Sequence, residues 1–205
     1  MADIRITSDT HLGHRLVAGL RGFDDVAAHD DRIIGNLAEG ATEDTVWWFL
    51  GDIVFGDRPA GLRRLREQVP GRKRLVLGNH DPIHPYYARQ ADWEPWRETF
   101  EQIHLHAKIR HDGFRLLLTH FSYEGFHPND DRFAQWRLRD NGAVAVHGHT
   151  HGQERTTRST QGSLQVHVGL DAWHLRPVTP DEILADLARH EDLSSLRSRQ
   201  TNLRL

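Results

Sequence analysis

Five short apolar runs in this sequence each end in aspartate, asparagine or histidine. Ile4-Arg5-Ile6-Thr7 leads into Ser8-Asp9-Thr10-His11, and Val46-Trp47-Trp48-Phe49-Leu50 leads into Gly51-Asp52. Leu75-Val76-Leu77 stops at Gly78-Asn79-His80-Asp81 and Leu116-Leu117-Leu118-Thr119 at His120. Ala143-Val144-Ala145-Val146 stops at His147-Gly148-His149-Thr150-His151. Carboxylate, imidazole and amide oxygen are ligands for divalent cations, and the same carboxylates and imidazoles move protons. Open α/β sheets gather their chemistry at the carboxyl ends of strands, so five such ends can converge on one sheet edge. That convergence describes a metal site. With no cysteine in the chain, thiolate ligation is excluded. The remaining nitrogen and oxygen donors suit Mn, Fe, Zn or Ni without choosing among them.

The elements that must position these groups are legible from periodicity. Ala2 to Ser8 reads as a first strand. After a loop from Asp9 to Gly22, Asp24 and Asp25 suit a helix start, with Val26, Ile33, Ile34 and Leu37 near helical spacing before Gly40. Thr45 to Leu50 is a second strand and Leu62 to Gln68 a short basic helix, stopped by Pro70-Gly71. The strand of the Gly78-Asn79-His80-Asp81 motif follows, giving a β-α-β-α-β start and a layered α/β fold. Pro82, Pro85 and Pro95 argue against a long helix from 82 to 96. Ile103 to Ile109 alternates like one half-exposed strand, and His111-Asp112-Gly113 turns into a strand from Phe114 to Thr119. Ser163 to Val168 alternates again, Pro180-Asp181-Glu182 opens a final helix, and the polar, Arg-rich tail from Ser194 is expected to lack fixed structure. One domain over residues 1–193, with a tail over 194–205, accounts for the chain.

A length of 205 residues fits one domain, and the 38% hydrophobic share is compatible with a packed core. A formal charge of −3 gives no global basic field for nonspecific nucleic-acid binding. The sixteen histidines are the compositional oddity. No basic-then-apolar leader opens the sequence as given, and no apolar run approaches the ~20 residues that span a bilayer. A cytoplasmic protein without membrane contact is the expectation; nothing in the sequence indicates its oligomeric state.

Taken in order, Asp-x-His, Gly-Asp, Gly-Asn-His-Asp, Thr-His and Gly-His-Thr-His resemble the calcineurin-like metallophosphoesterases over about Ile4 to His151. The chain is most similar to compact bacterial and phage members. In it His11 is followed by Leu-Gly-His, and Gly169-Leu170-Asp171-Ala172-Trp173 comes after the last motif. Gly51-Asp52-Ile53-Val54-Phe55-Gly56 departs from the pattern of the protein Ser/Thr phosphatases. The resemblance implies a four-layer αββα sandwich of two mixed sheets flanked by helices, with two divalent ions. Asp9, His11 and His151 would hold one ion, Asn79, His120 and His149 the other, and Asp52 would bridge them. It also implies attack on phosphorus by metal-activated hydroxide, His80 acting as general acid and Asp81 holding its ring. A phosphodiester is the favoured substrate, since an acid helps most when the leaving group is a poor one. A phosphomonoester is the alternative, and a nuclease or nucleotide phosphodiesterase is a variant. Members of this fold that have lost ligands act as protein-binding scaffolds, but this sequence keeps the whole set.

Beyond the motifs, His14, Arg58, Tyr123, His127 and Arg132 lie on expected loops and are candidates for holding phosphate oxygens. His147, out of step with His149 and His151, is expected to be a core histidine, and Trp47 and Trp48 core aromatics. Whether Asp171 or His174 meets substrate stays open. Arg63, Arg64, Arg66, Arg72, Lys73 and Arg74 form a local basic band, read as a solvated helix face unless the substrate is a polynucleotide.

Overall fold

The computed structural model describes residues 3–87, 93–125 and 133–201. Its first sheet holds β1 (Ile4–Thr7), β2 (Val46–Phe49), β3 (Arg72–Val76) and β4 (Gln102–His104) in that order, every pairing parallel. The second holds β5 (His106–His111), β6 (Phe114–Thr119), β7 (Val144–His147), β8 (Thr156–Arg158) and β9 (Leu164–His167) in the order β5-β6-β7-β9-β8. The pairings β6-β7 and β7-β9 are parallel and both edge pairings are antiparallel. Among the described residues six α-helices accompany them: α1 (Arg15–Leu20), α2 (Val26–Ala38), α3 (Arg58–Gln68), α4 (Glu94–Thr99), α5 (Pro180–Leu187) and α6 (Leu193–Thr201).

A parallel sheet covered on both faces needs continuous apolar runs, and β2 supplies Val-Trp-Trp-Phe, all buried. Alternation then divides the run. Trp47, Phe49, Leu75 and Leu77 pack on Ile33, Ile34 and Leu37 of α2 and on Leu62 and Leu65 of α3. Ile6, Trp48, Leu50 and Val76 instead meet Phe114, Leu116, Leu118, Val144, Val146 and Val166 of the second sheet. Residues of α5 and α6 complete this inter-sheet core through Ile183, Leu184, Leu187 and Leu196. The expected two sheets with flanking helices are present, the first sheet being parallel throughout its four strands rather than mixed.

Several boundaries differ from the sequence reading. The stretch 103–109 is two strands: the chain leaves the first sheet after His104 and enters the second at His106. Leu105, between them, is exposed. Alternation continues across the crossing, so periodicity could not reveal it. The turn after β5 has φ of 44° at Asp112 and 77° at Gly113, the paired left-handed residues that close a tight hairpin. α3 starts four residues earlier than its apolar spacing suggested, because the Asp57 side chain accepts the Ala60 N–H and Pro59 is tolerated in the first turn. α4 and α1 form inside segments read as irregular. The tail, expected to lack structure from Ser194, continues as α6 to Thr201. Leu196 is buried there, and the Gln200 amide brackets the Arg115 backbone, accepting from its N–H at 2.8 Å and donating to its carbonyl at 3.0 Å. No helix among the described residues is long and apolar enough to cross a membrane.

Candidate metal centre

The strand ends bring the expected ligands together. Five of them occupy left-handed backbone, with φ of 58° at Asp9, 47° at His11, 57° at Asp52, 70° at His149 and 51° at His151. Side-chain-bearing residues avoid this region, so the surroundings must impose it. Beyond β1 and β2 the two loops stay laced. Asp9 N–H donates to Gly51 O at 3.0 Å, His11 N–H to Asp52 O at 3.0 Å and Leu12 N–H to Ile53 O at 2.9 Å. Two glycines make room. A Cβ on Gly78 would overlap the Asp52 carboxylate, and one on Gly148 would overlap Ser8 Oγ and Asp9 Oδ2.

Two groups result, Asp9 with His11 and His151, and Asp52 with His120 and His149. His11 Nε2 lies 3.1 Å from His151 Nε2, and each is within about 4 Å of Asp9 Oδ1, at 4.0 and 3.8 Å. Asp52 faces both groups: its Oδ2 is 3.8 Å from His11 Nε2 and 3.5 Å from His120 Nε2. Asn79 Oδ1 sits 3.0 Å from His120 Nε2. Burial pushes His11 and His149 each down to about 3, which leaves both imidazoles neutral and their lone pairs available. Burial also disfavours charge on Asp9 and Asp52, but the histidines around them outweigh it and hold both carboxyls below the usual range. His120 is opposed by burial yet raised to about 9 by Asp52. Carboxylate and amide oxygens and imidazole nitrogens converging in two adjoining groups could hold divalent cations.

His80 stands exposed beside this centre. Its ring lies against His11 and Phe55, at centroid distances of 5.8 and 5.2 Å, and its backbone N–H donates to Asp52 Oδ1 at 2.8 Å. Asp81 does not hold that ring. It is fully buried, and its carboxylate accepts the N–H groups of Gly78 at 2.7 Å and of Asp52 and Ile53 at 3.1 Å each. Burial, with the charge of Asp52, pushes Asp81 up to about 7. The side chain therefore pins the loop carrying Asp52 to the loop carrying Asn79, which corrects its expected place as partner of His80. Adjacency in sequence misled, because the Asp81 carboxylate is taken up by three backbone N–H groups instead.

Arg21 was not anticipated. Only 3% of its side chain is exposed. It reaches Asp171 through two bonds of 2.9 Å and donates to Asp9 O at 2.7 Å. Asp171 Oδ2 in turn lies 3.0 Å from His151 Nδ1. His120 is oriented the same way by Leu50 O, 2.6 Å from its Nδ1. An imidazole ligand is ordinarily fixed by what its other nitrogen bonds, so Asp171, left open by the sequence, is a support for His151. No sequence signal marks Arg21 off from the many surface arginines.

Of the substrate candidates, His14 caps α1, its Nδ1 accepting from Val17 N–H at 3.3 Å, and its ring packs on Phe55 at 4.1 Å and His11 at 5.4 Å. Arg58 also meets Phe55, its guanidinium 5.7 Å from the ring centroid. Phe55 thus joins His14, His80 and Arg58 at the rim, a role its apolar character concealed. Tyr123 does not belong there: it is buried, its hydroxyl donates to Ala143 O at 3.1 Å, and burial raises its pKa. His127 and Arg132 lie outside the described residues. His147 is buried in β7 with Nδ1 donating to Gly148 O at 2.8 Å, and Trp47 and Trp48 are core.

Residues 3–184 match the model of the calcineurin-like phosphoesterase superfamily domain. The chain is 39% identical over 202 residues to the Gene 66 protein of Mycobacterium phage L5, covering 93% of this chain and 96% of that one. It is 42% identical over 184 residues to the Gene 66 protein of Mycobacterium phage D29, covering 85% and 90%. Among solved structures it is similar to a protein of unknown function from Aquifex aeolicus, with a TM-score of 0.65 and 25% identity, covering 88% of this chain and 96% of that one. With two ligand groups at the strand ends and a family match over most of its length, the chain belongs to the calcineurin-like phosphoesterase superfamily.

Proposed function

We propose that this protein is a dinuclear metal-dependent phosphoesterase that hydrolyses a phosphodiester with His80 as general acid. The observation that carries the reading is Asp52, whose Oδ2 stands 3.8 Å from His11 of one ligand group and 3.5 Å from His120 of the other. Asp9, His11 and His151 would hold one cation, Asn79, His120 and His149 the second, and Asp52 would be shared. When bound, the cations supply Lewis acidity toward water and a phosphoryl oxygen. His80, exposed at the rim, donates a proton to the leaving oxygen, and Phe55 restricts its ring. His14 and Arg58, both packed against Phe55, hold nonbridging oxygens.

A phosphomonoester is the second reading. The exposed acid supports the diester, because proton donation matters most for a poor leaving group. The complete ligand set disfavours a binding scaffold. The test is hydrolysis of bis-p-nitrophenyl phosphate and of p-nitrophenyl phosphate by Mn-loaded protein. Faster release from the diester supports the proposal, faster release from the monoester supports the alternative, and turnover of neither by protein holding two Mn ions overturns both.

A further inference from the structure

We propose that His29 is a positioning residue of the metal centre, which acts through Arg21 and governs the affinity of one cation and not the other; this rests on the two-cation reading above. α2 begins at Asp25, whose side chain accepts the Ala28 N–H at 3.0 Å. It buries His29, Ile33 and Leu37, spaced four residues apart on one face. His29 thus stands where the apolar stripe of an amphipathic helix calls for a hydrocarbon side chain. A fully buried imidazole there needs partners for its nitrogens.

Both nitrogens have one. Nδ1 lies 2.8 Å from Asp30 Oδ1, and Nε2 lies 3.2 Å from Arg21 Nη1. A guanidinium only donates, so Nε2 must present its lone pair; a carboxylate only accepts, so the proton sits on Nδ1. The partners of Arg21 complete the picture. Its Nε donates to Asp171 Oδ1, its Nη2 to Asp171 Oδ2 and Asp9 O, and its Nη1 to His29 and, at 3.3 Å, to Thr10 O. These bonds occupy all five N–H groups that a guanidinium carries. Only 3% of the side chain is exposed, so loss of the His29 acceptor would leave a buried donor unmatched. The fork would then be free to turn away from Asp171 and Asp9 O. Asp30 closes the arrangement, its Oδ2 accepting the Gly13 N–H at 2.9 Å. There φ is 81° and a Cβ would collide with Phe55 O. α2 therefore grips the loop of Asp9 and His11 both directly and through Arg21. In the second ligand group His120 is oriented instead by Leu50 O, a carbonyl at the end of β2.

A histidine that merely fastened α2 to α1 would serve stability alone, and two uncharged replacements separate the roles. Glutamine can place its amide oxygen where Nε2 stands and keep the bond from Arg21. Asparagine, one methylene shorter, can keep the contact with Asp30 but withdraws from Arg21. Calorimetric titration with Mn is run on wild type, His29→Gln, His29→Asn and Ile33→Ala, with thermal midpoints measured alongside. His29→Asn is expected to weaken one Mn site ~10–100-fold and leave the other near its original affinity. His29→Gln should restore most of the loss. Ile33→Ala, a cavity on the same face of α2, should lower the midpoint and leave both affinities unchanged. Equal weakening of both sites by His29→Asn, equal affinities in the two His29 variants, or a selective loss in Ile33→Ala overturns the proposal and leaves His29 a core residue. Wild-type protein that takes up fewer than two Mn ions overturns the two-cation reading. The role of His29 then stands if His29→Asn weakens the ion that is bound and falls if it does not.

Discussion

Arg21 and Asp171, 150 residues apart in sequence, meet through two bonds of 2.9 Å, and the same guanidinium holds the carbonyl of Asp9 at 2.7 Å. One side chain thereby ties the backbone of one ligand to the carboxylate that orients another, His151. The pair binds only one of the two ligand groups.

Arg21→Lys is expected to weaken one cation selectively. Lysine keeps the charge but cannot make a forked contact with Asp171 while also reaching Asp9 O. Loss of such support typically costs ~10–100-fold in metal affinity. Calorimetric titration with Mn should show one site weakened and the second near its original affinity. Two sites of unchanged affinity would show that the network is not needed to orient His151.

Asp52→Asn should weaken both sites, since the carboxylate faces His11 and His120 alike. His80→Ala should keep both cations and lose turnover by ~10²–10⁴. The loss should be larger for alkyl esters than for p-nitrophenyl esters, whose leaving group needs little protonation. A variant equally slow on both would assign His80 to positioning.

How much of this was legible in the sequence follows from what each signal reports. The candidate ligands were readable because each sits where an apolar run gives way to aspartate, asparagine or histidine, a change written in residue type even though most of these side chains are themselves buried. Arg21 and Phe55 were not readable, since their roles depend on chain segments brought together only by folding. Asp81 and Tyr123 were misplaced for a related reason. Polar residues close to a motif look functional, and only the fold reveals that their polar atoms are consumed by backbone at 2.7–3.1 Å. The crossing at Leu105 was hidden because alternation says which side faces the core, not which sheet the strand joins.

Asp81→Ala should act on stability. Three buried backbone N–H groups lose their acceptor, and each unsatisfied donor costs ~1–3 kcal/mol. A fall in thermal midpoint larger than that of His80→Ala is expected, together with an unchanged leaving-group dependence in the protein that remains folded. A midpoint equal to wild type would return Asp81 to a catalytic place.

His84 gives a pH dependence outside the ligand set. It is buried, its Nδ1 accepts the Tyr86 N–H at 2.9 Å, and burial, helped by the charge of His120, pushes it down to about 4. The unfolded chain takes up this proton near pH 6.5, whereas the folded one resists until about 4. The contribution is therefore fully present above pH 6.5 and declines as pH falls toward 4. Denaturant midpoints measured from pH 7.5 to 5 should fall less steeply in His84→Gln than in wild type, whatever the starting stability of the variant. Parallel curves would place the proton uptake elsewhere.

The basic band from Arg63 to Arg74 is expected to matter little even to a nucleotide-directed enzyme. Four of its six charges are already engaged. Arg64 pairs with Asp31, Arg66 with Glu98, and Lys73 is buried with its ammonium donating to Gly71 O at 3.1 Å. Arg74 lies over Trp48, 5.2 Å from the ring centroid. Only unpaired cations arrayed on a surface release many counterions on meeting a polynucleotide. Replacing Arg63, Arg64 and Arg66 by glutamine should therefore leave the salt dependence of oligonucleotide binding almost unchanged. A band that contacted phosphates would instead lose roughly one unit of slope per contact removed. Gel-shift titrations of wild type and the triple variant between low and moderate salt distinguish the two. A slope reduced by two units or more would show that the ion pairs open and that polynucleotide tracks along α3. An unchanged slope would confine the substrate to what the metal centre and its rim can hold.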